Sequence, residues 1–172
     1  MPARSLQHEI GKKKPFDSPE VEAFLNLART HGELSGPIEH LLGRHALSPS
    51  AYNVLRILRG SLRTSPSRAA HMGRRCAEIG AELVTRVPDV TRLVDRLVRQ
   101  GYVERRRCTR DRRVVYVRIT GEGLAVLAAI DRPLLALHRA QLAHMTRADL
   151  AALSRLLVKA RRAGSGATSR GS

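Results

Sequence analysis

Apolar residues recur at helical spacing through most of the chain and change to strand spacing only near its middle. From Ser18-Pro19, with the serine as N-cap and the proline in the first helical position, Val21, Phe24, Leu25 and Ala28 make one apolar stripe. Gly36-Pro37 interrupts that stripe, and a second helical stretch follows from Ile38 to about His45, so this segment reads as a bent or paired helix. Ser48-Pro49 repeats the start signal for a helix ending near Gly60, with Tyr52, Leu55, Ile57 and Leu58 on its buried face. Residues 61–74 mix Ser, Pro, Gly and cations without a period and read as a loop.

The next elements are shorter. Residues 76–83 fit a helix with Ile79 and Leu83 four apart, residues 85–87 make a tight connection, and Pro88 opens a helix running to Gln100, with Gly101 as its C′ residue. Two short helices joined by a short turn form a helix-turn-helix pattern. In the second of them, Val90, Leu93, Val94 and Leu97 follow i, i+3, i+4, i+7 and face a core, leaving Asp89, Thr91, Arg92, Asp95, Arg96 and Arg99 outward, where Asp95 and Arg99 have the spacing of an i, i+4 pair.

Strand period then takes over. In DRRVVYVRIT, residues 111–120, Val115, Val117 and Ile119 fall on one face of an extended segment, and Val114, Tyr116 and Arg118 fall on the other. Residues 102–107 supply a partner strand, and Cys108-Thr109-Arg110-Asp111 turns the chain between them, giving a hairpin with a basic tip. An isolated hairpin is marginal in water, so this one must lean on a larger body. Thr120 can restart a helix that carries Leu124, Leu127, Ala128, Leu134, Leu135 and Leu142, bent at Pro133. Thr146 begins a last helix with Leu150, Leu153, Leu156 and Leu157 buried and Lys159, Arg161 and Arg162 near its end, where cations suit the helix dipole. The predicted fold is mainly α with a small β-hairpin wing (α+β), a winged helix-turn-helix set in a helical frame. Residues 1–17 and 163–172 read as mobile tails, the first of them basic.

Composition narrows the function. Aromatic residues are only 3% of the chain, so the 42% hydrophobic content is mostly Leu, Val, Ile and Ala, as in packed helices. Lys+Arg number 31 against 15 Asp+Glu, a formal charge of +16, which points to a polyanionic partner. No apolar run is long enough to span a membrane, and Lys12-Lys13-Lys14 leads into Pro15 and charges rather than a signal core, so a cytoplasmic location is expected. Cys76 and Cys108 are too few for a disulfide framework and too far apart for a metal knuckle. Cys76 reads as a buried inert thiol; Cys108 sits among arginines that would favour its thiolate. The seven histidines are scattered singly, and no Ser-His-Asp set, paired carboxylates or glycine-rich phosphate loop stands out, so no enzyme activity, cofactor or metal is expected.

These residues resemble the MarR-type transcriptional regulators over roughly residues 47–162. Asp111, Arg113, five further residues and Ile119-Thr120 are similar to the family's D-x-R-x5-L-T wing signature, with Ile where Leu is usual. VTRLVDRL, residues 90–97, resembles its recognition helix, and AYNVLRIL resembles the helix before the reading unit. The longer basic loop at 61–74, and Pro88 and Asp89 where small hydroxyl residues are more usual, depart from the pattern.

The resemblance implies a homodimer whose first and last helices intertwine, with two winged helices gripping a palindromic operator, and in some members a small anionic or phenolic effector that loosens the grip from between frame and lobe. It divides the chain into dimerisation helices at 18–46, a DNA-binding domain at 47–120 and C-terminal dimerisation helices at 121–162. The apolar stripes at 21–28 and 150–157, too large for one small lobe to bury, agree with a dimer. The expected DNA contacts are Arg86, Thr91, Arg92 and Arg96 from the reading helix and its approach, with Arg110, Arg112 and Arg113 from the wing. Arg92 best fits a guanine edge, since a guanidinium matches O6 and N7 bidentately. Either Arg112 or Arg113 can enter the minor groove, and Arg113 fits the signature; Asp111 is expected to brace its guanidinium. A sequence-specific repressor released by a ligand is thus the leading expectation, and a non-specific nucleic-acid-binding or architectural protein, for which charge alone suffices, is the alternative.

Overall fold

A computed structural model of the chain describes residues 5–64, 73–108, 111 and 113–163. It divides into two compact units, residues 1–134 and 135–172. The elements in order are α1 (Leu6–Glu9), α2 (Pro19–Gly43), α3 (Pro49–Thr64), α4 (Cys76–Glu82), α5 (Val90–Arg99), β1 (Val103–Arg107), β2 (Val115–Ile119), α6 (Gly121–Gln141) and α7 (Arg147–Ala163).

The start signals work as their chemistry requires. The Ser18 hydroxyl accepts from the Val21 N–H at 3.4 Å and the Ser48 hydroxyl from the Ala51 N–H at 3.2 Å, each satisfying an orphan donor of the first turn. α2, however, is continuous: Gly36-Pro37 does not divide it. Proline removes one main-chain hydrogen bond, but its fixed φ is itself a helical value, so the path persists. α3 likewise passes Gly60 and reaches Thr64, which shortens the expected 61–74 loop; residues 65–72 lie outside the described residues. The segment read as a basic tail holds a helical turn at α1, where Leu6 is buried and Glu9 pairs with Arg29 of α2 at 3.0 Å. An apolar anchor and an ion pair outweigh the local composition there. Residues 1–4 and 164–172 lie outside the described residues.

The core of the first unit gathers one stripe from each element. Leu42 comes from α2; Val54, Leu55 and Leu58 from α3; Ile79 from α4; Val94 and Leu97 from α5; Val103, Val117 and Ile119 from the hairpin; and Leu127, Ile130 and Leu134 from α6. The expected α5 face is thus the buried one, with Val90 and Leu93 half-buried at its edge. α3 packs on α4, α5 and β2. The hairpin is antiparallel, with Val103 opposite Ile119, Arg105 opposite Val117 and Arg107 opposite Val115. Val115 is exposed although it shares the face of Val117, because it lies toward the tip, beyond the body of the lobe.

Three junctions fix where the wing emerges. Gly101 takes φ +77° after α5, and the Tyr102 N–H returns to the Leu97 carbonyl at 3.0 Å, a helix stop that needs a residue without a Cβ. Thr120 donates its hydroxyl to the Gly101 carbonyl at 2.7 Å and accepts from the Gly123 N–H at 3.1 Å, so one side chain closes the hairpin base and caps α6. At the far edge, Arg74 forms a two-bond antiparallel bridge with Val117, at 2.9 and 2.8 Å. Gly73 (φ +97°) approaches so closely that a Cβ would strike the Val117 carbonyl.

α3 and α6 are tied by a bidentate ion pair, Arg59 Nη1 to Asp131 Oδ2 at 2.5 Å and Nη2 to Oδ1 at 3.0 Å. The Arg59 hydrogen bonds hold the Asp131 carboxyl below the ordinary carboxylate range. The folded state therefore binds this proton less readily than the unfolded one. The pair's contribution is whole at neutral pH and is lost as pH falls below the ordinary carboxylate range and through the lower folded value. Asp131→Asn should cost about 1 kcal/mol or less, because the pair is partly solvent-screened, a melting-temperature loss of about 2–4 °C per kcal/mol at pH 7. Melting curves recorded well below the carboxylate range should show no difference from the unsubstituted protein.

Candidate nucleic-acid interface

α5 presents its polar edge to solvent because its other face is committed to the core. Thr91, Arg92, Arg96 and Arg99 are all exposed. The helix begins two residues later than Pro88 suggests, at Val90: Asp89 is the N-cap, and its Oδ1 accepts from the Arg92 N–H at 2.9 Å. Its Oδ2 also forms an ion pair with the Arg92 Nε edge at 3.2 Å, while the Arg92 side chain remains 89% exposed. Arg86, in the turn before α5, is exposed and makes no ion pair among the described residues. That turn is held to α3 by the Asn53 side-chain oxygen, which accepts from the Val84 N–H at 2.9 Å.

The wing tip is built by its backbone. The Asp111 carboxylate accepts from the Arg113 main-chain N–H at 3.0 Å, and the Asp111 carbonyl accepts from the Val114 N–H at 3.0 Å. Asp111 thus braces the tip as a turn former, and it does so through the main chain rather than through the Arg113 guanidinium as expected. A short side chain two residues away reaches the N–H more easily than a long flexible guanidinium can be held. The Cys108 N–H bonds the Val114 carbonyl at 2.9 Å, carrying the ladder one step beyond Arg107. Arg110 and Arg112, also expected to contact nucleic acid, lie outside the described residues.

A basic groove lies between α4, α5 and the wing, lined by Arg75, Cys76, Thr91, Arg105, Arg113 and Val114 among others. It unites two of the expected residues, Thr91 and Arg113, with two that sequence reasoning missed, Arg75 and Arg105. Arg105 stands on the core-facing side of β1, in phase with Val103, so its charge must find a partner near the lobe. It finds Asp95 of α5 at 2.8 Å. Asp95 therefore braces the wing strand instead of pairing with Arg99 along its own helix. An arginine in phase with buried valines was the available signal, but which carboxylate answers it depends on how the chain returns at Gly101.

On α4, the Glu78 carboxylate accepts from the Arg75 N–H at 3.2 Å and from its Nε at 2.7 Å, and the Arg75 guanidinium keeps the Glu78 carboxyl below its ordinary range. Arg74 reaches both Glu78, at 3.1 Å, and Glu82. Cys76, expected to be buried, is half-buried at the groove, where burial pushes its thiol up more than the nearby Arg105 lowers it. A second, smaller groove lies between the N-terminal ends of α3 and α5, lined by Ser48, Ser50, Pro88, Asp89, Arg92 and Arg96 among others. Among the described residues, no group of His, Cys, Asp and Glu side chains is placed to hold a metal ion, and no helix is long and apolar enough to cross a membrane.

This arrangement has counterparts. A family model described as the MarR family matches residues 47–115, from the start of α3 into the wing. The HTH-type transcriptional repressor YetL of Bacillus subtilis (strain 168) is 30% identical over 114 residues, 65% of this chain, and the match spans 62% of that repressor's length. The organohalide-sensing regulator RdhR, solved in its 2,4-dichlorophenol-bound form, shares the fold with a TM-score of 0.74 at 14% identity, over 92% of this chain and 91% of its own. A MarR transcription factor from Planctomyces limnophilus is 36% identical, with a TM-score of 0.61, over 83% of this chain and 98% of its own. Identity of 36% across nearly the whole of a relative places this chain in the MarR family.

Proposed function

We propose that the chain is a sequence-specific transcriptional regulator that binds double-stranded DNA as a homodimer, a repressor released from a palindromic operator by a small aromatic or anionic effector. The observation that carries this reading is the basic surface made by the exposed edge of α5 together with the groove of Arg75, Thr91, Arg105 and Arg113. α5 enters the major groove, where Arg92 reads a guanine edge and Arg86, Thr91 and Arg96 take bases or phosphates near it. Arg113 contacts the backbone or minor groove from the wing, Arg110 and Arg112 make further DNA contacts, and Arg75 and Arg105 add phosphate contacts. The protein works in the cytoplasm without enzymatic activity, and no cofactor is needed. Membership of the MarR family and the repressor relative support regulation by DNA binding; the dichlorophenol-bound relative supports a phenolic effector.

The helices at the two ends of the chain support the dimer. On α2, Val21, Phe24 (69% exposed), Leu25 and Leu27 are open to solvent. On α7, Leu153, Leu156 (63% exposed) and Val158 are open too, although the sequence pattern marks Leu153 and Leu156 for burial. A partner chain supplies the missing cover, since exposed apolar stripes of this kind mark interaction surfaces.

Light scattering should give a mass twice that of the 19.0 kDa chain, and Phe24→Asp or Leu156→Asp should shift it toward the monomer. A folded monomer that still binds DNA tightly would sink the dimeric frame. On DNA, phosphate contacts position and base contacts specify, so two arginines should fail differently. Arg113→Ala should weaken binding to every duplex and reduce the salt slope by about one, whereas Arg92→Ala should cost about 1–3 kcal/mol on the operator and relax preference at one position of each half-site. Asp111→Asn, which keeps the turn-forming oxygen, should bind better than Asp111→Ala. A chain indifferent to operator against random competitor at physiological salt is the non-specific coating protein instead. For the effector, phenols and aromatic acids titrated into the complex should release DNA; a panel that neither releases DNA nor raises the melting temperature counts against ligand control.

A further inference from the structure

We infer that Asp89 is a specificity-determining positioning residue: its carboxylate holds Arg92 by the Nε edge, so that the terminal fork of the guanidinium is presented to a guanine. This rests on the assignment of Arg92 as a base reader. The two carboxylate oxygens divide their work. Oδ1 accepts from the Arg92 main-chain N–H at 2.9 Å and fixes the first turn of α5; Oδ2 forms an ion pair with the Arg92 Nε edge at 3.2 Å and draws in the side chain of the same residue. Arg92 is 89% exposed, and this contact is its only ion pair among the described residues, so a long flexible side chain is restrained at one edge and open at the other. With Nε engaged, the two terminal amino groups remain, and they match the O6 and N7 acceptors of guanine.

The charge of Asp89 is what separates this role from capping. Serine, threonine or asparagine would cap α5 as well. A carboxylate at the tip of a helix meant for DNA repels the phosphates that Arg92, Arg96 and the hydroxyls of Ser48 and Ser50, in the same groove, are placed to meet. Asp89 therefore weakens attraction to any duplex while ordering the one side chain that distinguishes sequences. Before DNA arrives the exposed pair is screened by water; once water is displaced by the base edge, the same contact strengthens.

The test uses the full chain and an operator selected from a pool of random duplexes. Binding of the unsubstituted protein, Asp89→Asn, Asp89→Glu and Arg92→Ala is titrated on the operator and on the operator with each guanine of the half-site replaced in turn. Asp89→Asn keeps the capping oxygen, so its melting temperature should match the unsubstituted protein. It should bind random duplex more tightly, and its discrimination at the Arg92-dependent guanine should fall about three- to tenfold, a part of what a bidentate contact supplies. Asp89→Glu should recover most of that discrimination, and Asp89→Asn added to Arg92→Ala should change it no further. If Asp89→Asn discriminates as well as the unsubstituted protein, Asp89 is a cap alone and the inference is overturned. A chain that selects no sequence before any substitution removes the base-reading assignment itself, an outcome visible in the selection step and distinct from failure of the Asp89 role.

Discussion

The hairpin cannot stand alone, and most of what is distinctive in this lobe follows from how it is supported. Five residues per strand give too little pairing for independent stability, so Val103, Val117 and Ile119 must be buried against the helices. That burial sets the register, because a slip of one residue would turn every one of these side chains to solvent. Register in turn dictates that Arg105 stands on the inner side of β1, where Asp95 meets it, and that Arg107 and Val115 pair at the beginning of the tip. Arg74 and Gly73 clasp Val117 from the other edge, and Thr120 closes the base. The wing therefore projects from a point fixed on three sides.

The acidic residues of the lobe are spent on arginines. Glu78 and Glu82 hold Arg74 and Arg75, Asp89 holds Arg92, Asp95 holds Arg105 and Glu104 holds Arg106. Exposed pairs of this kind add little stability. Their effect is geometric: they choose which cations are held at defined positions, whereas Arg86, Arg96, Arg99 and Arg113 have no such partner among the described residues. A surface that is basic throughout attracts any duplex, whereas sequence preference requires guanidinium groups held at defined positions.

Elements whose signals are local were legible in the sequence. Ser18, Ser48, Thr120 and Thr146 each cap a helix through atoms a few residues away, and Gly101 stops α5 because a left-handed turn is needed there. The α5 face was legible for the same reason, since its period alone separates Val94 and Leu97 from Arg92 and Arg96. What failed involved competition between near and distant terms. Gly36-Pro37 looks like a break, yet α2 carries on through it. Lys12-Lys13-Lys14 suggests a loose tail, yet Leu6 upstream is anchored. At the site, Arg75 and Arg105 were missed because their value comes from the groove in which they meet Thr91 and Arg113, residues far apart in the chain.

The least legible property was the cover of the apolar residues on α7. Leu153 and Leu156 have the spacing of buried residues, and nothing in the period of α7 says whether cover comes from the same chain or another. The contrast within α6 is informative: Leu127, Ile130 and Leu134 are buried within the first unit, whereas Leu124 and Leu135 on the same helix stay exposed. A helix apolar on more than one face has more than one neighbour to satisfy. With Phe24 and its companions on α2 open as well, each of the two units keeps an apolar stripe of its own uncovered. Apolar stripes left open in this way are the kind of surface that marks an interaction site.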